Sequence, residues 1–351
     1  MRAVAVMEPG KVELVEIPMP VTGDYDALVR VKACGICSST DLKIVHYEHP
    51  EMPGFPFSFP AVLGHEGAGE IVSTGPKVRY LKPGDRVVSP LAMGIPECGF
   101  SMSYGGMIEY AVVPDIRAIS EDNAGSPFGR GPISTDPQDF LCKVFPNDIS
   151  FVDAAMMLTF KENYSALKNF GITGGMDVLI FGDGSISMGL SLQLRDYHVH
   201  SLVVVGHHDD RLARIAKVSV PDLTINSHKD NVEKILEGMR FDIVIDAAGS
   251  VEIIKRGARF LKPGGKVCVY GVLGKNKSTL DLYDLPNNTA IQIMSYPYKE
   301  HRTHDKIVDL MLSGKLRASD FYSTVLPVEK AAEGIAMLET REAFKVILTF
   351  D

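Results

Sequence analysis

Two side chains in the first fifth of the chain could hold a metal ion between them. Cys37, within Cys34-Gly-Ile-Cys-Ser-Ser-Thr-Asp-Leu-Lys43, offers a thiolate, and His65, within Gly64-His-Glu-Gly-Ala-Gly-Glu70, offers an imidazole. A sulfur and a nitrogen donor from separate loops suit a Zn²⁺ that keeps one position open for substrate. Taken singly, Cys37 reads as a small buried thiol and His65 as a hydrogen-bonded loop histidine. Their order and flanking glycines favour the metal.

A second chemistry is carried by Val178-Leu-Ile-Phe-Gly-Asp-Gly-Ser-Ile-Ser-Met-Gly189. A β-rich apolar run reaches Gly182 and Gly184, and a segment of helical character follows. A strand, tight turn and helix in that order present backbone N–H groups, Ser185 and Ile186 among them, to a pyrophosphate. The third glycine of the dinucleotide fingerprint falls at Ser187, which is small enough to keep helix and strand close. Further on, Val203-Val-Val-Gly-His-His-Asp-Asp-Arg-Leu212 ends a strand where an NAD-preferring sheet places a carboxylate for the ribose 2′-hydroxyl. Here the position is Gly206. The room it leaves, with His207 and His208 as donors and Arg211 close behind, favours NADP over NAD. Asp209 and Asp210 could serve the ribose instead but read better as caps of the next helix.

Elements of two textures must position these residues. Up to about residue 150 the pattern is β-rich, with alternating runs such as Ala27–Ala33, a Pro-Gly turn feeding a strand at 81–88, and another strand at 105–113. A polar segment rich in Gly, Pro, Ser and Asp, from about Ile119 to Leu141, reads as a functional lid or a disordered excursion, with the lid favoured. From about 153 strands and helices alternate: helix Asp153–Asn169, the glycine turn, strand Ser201–Val205, helix Asp210–Lys217, strand Asp242–Ile245, helix Val251–Phe260, a turn at Lys262-Pro-Gly-Gly265 and strand Lys266–Tyr270. That alternation implies right-handed βαβ units and a parallel sheet covered on both faces. Two helices, Lys306–Ser313 and Val328–Glu339, and a strand, Lys345–Phe350, complete the chain.

Composition narrows the class. The 351 residues suffice for two domains, and 45% hydrophobic with 23% charged residues is ordinary for a globular protein. A net charge of −8 gives no electrostatic reason to bind nucleic acid or an anionic membrane. Five cysteines spread along the chain form no disulfide framework, and with no signal peptide or spanning apolar stretch the expected compartment is the cytoplasm.

The chain resembles the medium-chain dehydrogenase/reductase superfamily, and within it the zinc-dependent alcohol and polyol dehydrogenases of the sorbitol and threonine type. The likeness rests on Gly35-Ile-Cys with Asp41, Gly64-His-Glu66, Pro83-Gly-Asp-Arg-Val87, Gly106-Met-Ile-Glu-Tyr110, the glycine turn, Asp246-Ala-Ala-Gly249 and Gly264-Gly-Lys-Val267, all in family order. It implies an α/β protein: a GroES-like β-rich catalytic domain from residues 1–152 and 296–351, and a Rossmann domain, a doubly wound parallel sheet, over 153–295. The active site is then expected in the cleft between them. The resemblance makes Cys37 and His65 zinc ligands, lets Glu66 ligate from behind, and gives Asp41 the task of orienting them. It also places Ala248 and the loop residues Leu273 and Gly274 near the coenzyme, and Lys345 near its phosphates.

The chain departs from that pattern in three places. The usual third ligand position falls at Met157 or Leu158, neither of which binds Zn²⁺, leaving Glu66 or Glu162 to complete the set. The family's ligand-to-aspartate spacing is one residue longer here, so the proton-accepting hydroxyl is Thr40 by adjacency to Asp41 or Ser39 by distance from Cys37. Lys43 stands where many members relay the proton with a histidine. The four-cysteine lobe for a structural zinc is missing, so one catalytic zinc is expected and no structural one.

The activity implied is NAD(P)-dependent interconversion of a secondary alcohol and its ketone, the alcohol being a polyol, sugar-like alcohol or hydroxy-amino acid. A zinc-free reductase of activated double bonds and a non-catalytic dinucleotide-binding protein are the alternatives. A homodimer or homotetramer is expected, paired through an edge strand near Lys266–Val272.

Overall fold

The computed structural model describes residues 1–47, 58–102, 105–127, 136, 143–273, 278–294 and 299–351. Its contacts divide the chain into two units: Met1–Leu158 with His301–Asp351, and Thr159–Glu300.

In the first unit the organising element is the ten-residue strand Asp26–Gly35, whose alternating apolar residues face a buried core. It pairs antiparallel with Glu66–Thr74, with Tyr110–Pro114 and with Val346–Thr349. Strand Thr324–Pro327 then lies parallel to Val346–Thr349, and Arg86–Val88 and Lys143–Val144 extend the other side into a seven-stranded sheet. A smaller sheet carries Arg2–Glu8 between Lys11–Glu16 and Ala61–Val62. The core between these elements joins Val4, Val31, Ile36, Leu63, Ile108, Val346 and Leu348, all fully buried.

The second unit is one parallel sheet of six strands. In spatial order they are Leu223–Asn226, Ser201–Gly206, Asp177–Phe181, Phe241–Asp246, Leu261–Val269 and Ala290–Ile293. Helices Ser185–Leu194, Asp209–Ser219 and Val251–Ala258 connect them. The first strand in sequence, Asp177–Phe181, is central and reads Asp-Val-Leu-Ile-Phe, nearly all buried. Such continuous apolar runs are what a sheet covered on both faces requires. The chain order reverses between the two strands flanking Asp177–Phe181, which places the glycine turn at the switch point.

Several expectations need correction. The helix read as Asp153–Asn169 is two pieces, Phe151–Ala154 and Met157–Asn169. The first starts earlier because the Ser150 hydroxyl accepts from the Asp153 amide as its cap. Lys262-Pro-Gly-Gly265 is no free turn but a bulge inside strand Leu261–Val269, where the register jumps from Phe241–Leu261 to Ile243–Lys266. That strand has a neighbour on each side, so Lys266–Val272 is not an edge. Among the described residues the edge on that side is Ala290–Ile293, with Ile293 61% exposed. The proposed lid begins as a helix, Ile116–Glu121, capped by the Asp115 carboxylate. Residues 128–135 and 137–142 of that segment lie outside the described residues. No described helix is long and apolar enough to cross a membrane.

The strand starts of the parallel sheet are tied by charge. Lys262 donates to Asp177 and Asp242 at 2.6 and 2.8 Å, and Asp177 also accepts from Ser201 and pairs with the His200 ring. Burial would raise the Asp177 carboxyl, but these partners outweigh it and hold it well below the usual carboxylate range.

A group depressed on folding contributes stability above its unfolded value near 4, and that contribution is lost as pH falls through the folded value. Asp177→Asn is therefore expected to destabilise at pH 7, with the gap to wild type narrowing below about pH 4, read by urea unfolding. Phe241, 1% exposed at the start of strand Phe241–Asp246, is a separate probe. Truncating Phe241→Ala should cost about 3–5 kcal/mol in the same assay.

Candidate functional site

Strand register brings the first group of candidate residues together. In the antiparallel pairings Gly35 lies opposite Glu66 on one side and Ile347 on the other. The end of one strand therefore meets the beginnings of two others. Cys37 follows the first, His65 precedes the second, and Lys345 precedes the third.

The donor atoms of Cys37, His65 and Glu66 lie within 4.8 Å of one another. Among the described residues this is the one group of three such side chains close enough to share a metal ion. Asp41, fully buried in the first turn of helix Asp41–Val45, braces it. Its Oδ2 accepts from the Cys37 amide at 2.8 Å, and its Oδ1 is 3.5 Å from His65 Nδ1. A carboxylate behind a ring nitrogen orients the imidazole and directs its other nitrogen outward. Burial opposes charge on both Cys37 and His65. Asp41 and Cys37 nevertheless hold the imidazole well above its ordinary value, and His65 draws the Cys37 thiol down.

Lys345 belongs to this cluster. Its amino group, 5% exposed, donates to Glu66 Oε2. Burial works against its charge, but Glu66 and Cys37 together raise its pKa. This ion pair also explains Gly35: a Cβ there would stand 2.2 Å from Glu66 Oε2 and 3.2 Å from Lys345 Cε. Of the two hydroxyls considered as proton acceptors, Ser39 Oγ is 3.1 Å from Cys37 Sγ. Thr40 is the half-buried residue before helix Asp41–Val45 and makes no side-chain cap bond. Lys43 sits half-buried in that helix. Met157, fully buried, begins helix Met157–Asn169 and offers only a thioether.

The cluster has the charge a divalent cation needs. With Cys37 deprotonated, three anions (Cys37, Asp41 and Glu66) face two cationic groups, Lys345 and the His65 imidazole, and the balance stays negative. Buried, uncompensated negative charge is costly, and Zn²⁺ with sulfur, imidazole and carboxylate donors would offset it.

The second group lies in the other unit. Gly182 takes φ +131°, a conformation that favours glycine, and the Ser187 hydroxyl occupies the place its Cβ would fill, 2.7 Å away. Ser187 thus keeps helix and turn close in the manner the third glycine would. Gly184 precedes helix Ser185–Leu194, and nothing lies within 4 Å of a Cβ built on it. Open space over the uncapped N–H groups of Ser185 and Ile186 is what a pyrophosphate requires.

At the end of strand Ser201–Gly206 the geometry differs from the sequence reading. Asp183, between the two glycines, accepts at Oδ2 from the His207 amide (2.6 Å), the His208 amide (2.9 Å) and the His208 ring (2.9 Å). Arg211 Nη1 is 3.8 Å from its Oδ1. The His207 ring stacks on His228 at 4.3 Å and its Nδ1 is 3.1 Å from Ser227 Oγ. His208, not Asp209 or Asp210, holds the cap position of the next helix, and Asp209 instead accepts from Asn226 and Lys229.

Ala248 donates its amide to Asp246, a fully buried carboxylate that also takes the Gly249 and Ser250 amides. Leu273 packs at the margin of the parallel-sheet core, and Gly274 lies outside the described residues. Sequence reasoning missed the Glu66–Lys345 pair and the role of Asp183; the glycines opposite them, Gly35 and Gly206, were the available signal.

Comparison with known proteins gives the same picture. The family model of the alcohol dehydrogenase GroES-like domain matches residues 23–121, and that of zinc-binding dehydrogenases matches residues 195–313. Sorbitol dehydrogenase of Rattus norvegicus is 27% identical, with 99% of this chain and 96% of that protein aligned. D-xylulose reductase A of Aspergillus oryzae is also 27% identical, over 96% and 93% of the two chains. Among solved structures, the alcohol dehydrogenase TADH from Thermus sp. ATN1 superposes with a TM-score of 0.75 at 24% identity, covering 99% of each chain. The 2R,3R-butanediol dehydrogenase of Bacillus subtilis does so with 0.77 at 18%, covering 100% of this chain and 99% of that one. These structures share the fold. With both domain models matched in order and relatives aligned nearly end to end, the chain belongs to the zinc-type alcohol and polyol dehydrogenases of the medium-chain dehydrogenase/reductase superfamily and is an NAD(P)-dependent oxidoreductase.

Proposed function

We propose that the protein interconverts a secondary alcohol of the polyol class and its ketone at a single zinc centre held by Cys37, His65 and Glu66. The observation that carries this reading is the convergence of a thiolate, an imidazole and a carboxylate within 4.8 Å of one another. The similarity to sorbitol dehydrogenase and D-xylulose reductase supports the substrate class.

Zn²⁺ bound there would act as a Lewis acid on the substrate oxygen, and the nicotinamide would exchange the hydride. The remaining work falls to the chain. Asp41 holds the His65 ring in one orientation and ties the Cys37 loop to it. Lys345 neutralises one carboxylate, so Glu66 can sit buried beside a thiolate. Ser39, rather than Thr40, takes the hydroxyl proton in this reading, supported by the 3.1 Å between its Oγ and the Cys37 sulfur. The turn at Gly182–Ile186 holds the coenzyme pyrophosphate. Room beside Gly206 would suit NADP, whereas the Asp183 carboxylate filling it would oppose a 2′-phosphate.

Purified protein is expected to carry about one zinc per chain by elemental analysis. Chelation should lower polyol oxidation by roughly a hundredfold, restored by added Zn²⁺. Full turnover without zinc, retained in Cys37→Ser, would instead identify a zinc-free reductase. Ser39→Ala should lower kcat by about a hundredfold or more while leaving zinc content and coenzyme affinity unchanged, and Thr40→Ala should lower it far less. Steady-state kinetics on the two variants decides between the hydroxyls.

A further inference from the structure

Gly206 has a physical cause other than making room for a phosphate. A Cβ at that position would lie 2.6 Å from the Asp183 Cβ and 2.8 Å from Asp183 Oδ2. The strand end that usually supplies a carboxylate cannot carry any side chain, because an acid from the adjacent turn already fills the space.

We propose that Asp183 replaces the strand-end acid: it accepts the 2′-hydroxyl of the adenosine ribose, excludes a 2′-phosphate, and so selects NAD(H). The inference rests on reading the Gly182–Ile186 turn as the pyrophosphate site.

Three observations point the same way. Asp183 Oδ2 is saturated by three donors, but among the described residues none donates a hydrogen bond to Oδ1; Arg211 at 3.8 Å is beyond bonding distance, so Oδ1 keeps its acceptor capacity. The His207 and His208 amides, the backbone donors a 2′-phosphate would need at this strand end, are both committed to Asp183. His207 supplies little positive charge either, because burial and the neighbouring His228 lower its pKa, and the His208 ring is engaged by Asp183. Burial would raise the Asp183 carboxyl, yet the amide and ring donors hold it below its ordinary value, so it is an anion at neutral pH. Arg211 and the His208 ring face this carboxylate, and a phosphate there would have to displace the carboxylate from these donors.

Binding of reduced coenzymes to the zinc-loaded protein, followed by nicotinamide fluorescence, tests the assignment without turnover. NADH should bind at least tenfold tighter than NADPH, and D183N, which keeps an acceptor but drops the charge, should shift that ratio towards NADPH by tenfold or more. Because Asp183 also pins the backbone of residues 207–208, a second measurement uses wild type alone. The NADH analogue lacking the adenosine 2′-hydroxyl should bind roughly tenfold more weakly than NADH. NADPH binding as tightly as NADH, an unchanged ratio in D183N, or undiminished affinity for the deoxy analogue would each overturn the assignment. If neither coenzyme binds, the pyrophosphate reading of the turn falls with it. Tight, selective NADH binding without alcohol turnover would uphold Asp183 and reject the zinc-alcohol chemistry instead.

Discussion

The Cys37–His65–Glu66 cluster depends on one register. With Gly35 opposite both Glu66 and Ile347, three strand ends are forced to one corner of the sheet. A slip of one residue in either pairing would turn Glu66 or Lys345 to the opposite face. The register is held by what the strands bury. Ala27, Val29, Val31, Ala33 and Ile71 are buried and alternate with the more exposed Arg30, Lys32, Glu70 and Val72, which a slip would bring inward. Apolar packing over some ten residues thus decides the position of two charged atoms at the strand ends.

Once the corner is formed, its charges support one another. Lys345 stays protonated in a buried place because Glu66 and Cys37 are anionic, and Glu66 tolerates burial because Lys345 is there. Removing one partner of such a pair leaves an isolated buried charge, which costs far more than the pair is worth. Gly35 is part of the same balance, since any side chain there would occupy the carboxylate's place. The coenzyme turn follows a similar logic: the absent side chains of Gly182 and Gly206 are filled by Ser187 and Asp183.

The legible parts of the chain were those whose chemistry is local. Cys37 and His65 stand out because their residue types and flanking glycines lie within short segments. The alternation of strands and helices after residue 153 announces a parallel sheet, because each apolar run is long enough to show its period. The Glu66–Lys345 pair was hidden because it spans 279 positions and exists only through register. Asp183 was overlooked because it sits inside a glycine motif whose interest lies in its glycines. Strand Ala290–Ile293 escaped notice for a different reason: four residues, two exposed and two half-buried, carry too little pattern to mark an edge. The choice between Ser39 and Thr40 stayed open in the sequence because an extra residue changed the spacing.

The long reach from Glu66 to Lys345 also bears on how the molecule is made. During synthesis every residue of the parallel-sheet unit leaves the ribosome before strand Val346–Thr349 does. That unit can complete all its strand pairings while the nascent β-rich half still lacks a partner beside Gly35. In the interval the N-terminal half carries an open sheet edge and an unneutralised Glu66, a combination that invites mispairing. Strand Val346–Thr349 therefore acts as a closing seam for the β-rich unit, and the Glu66–Lys345 corner forms only once that strand has joined the sheet.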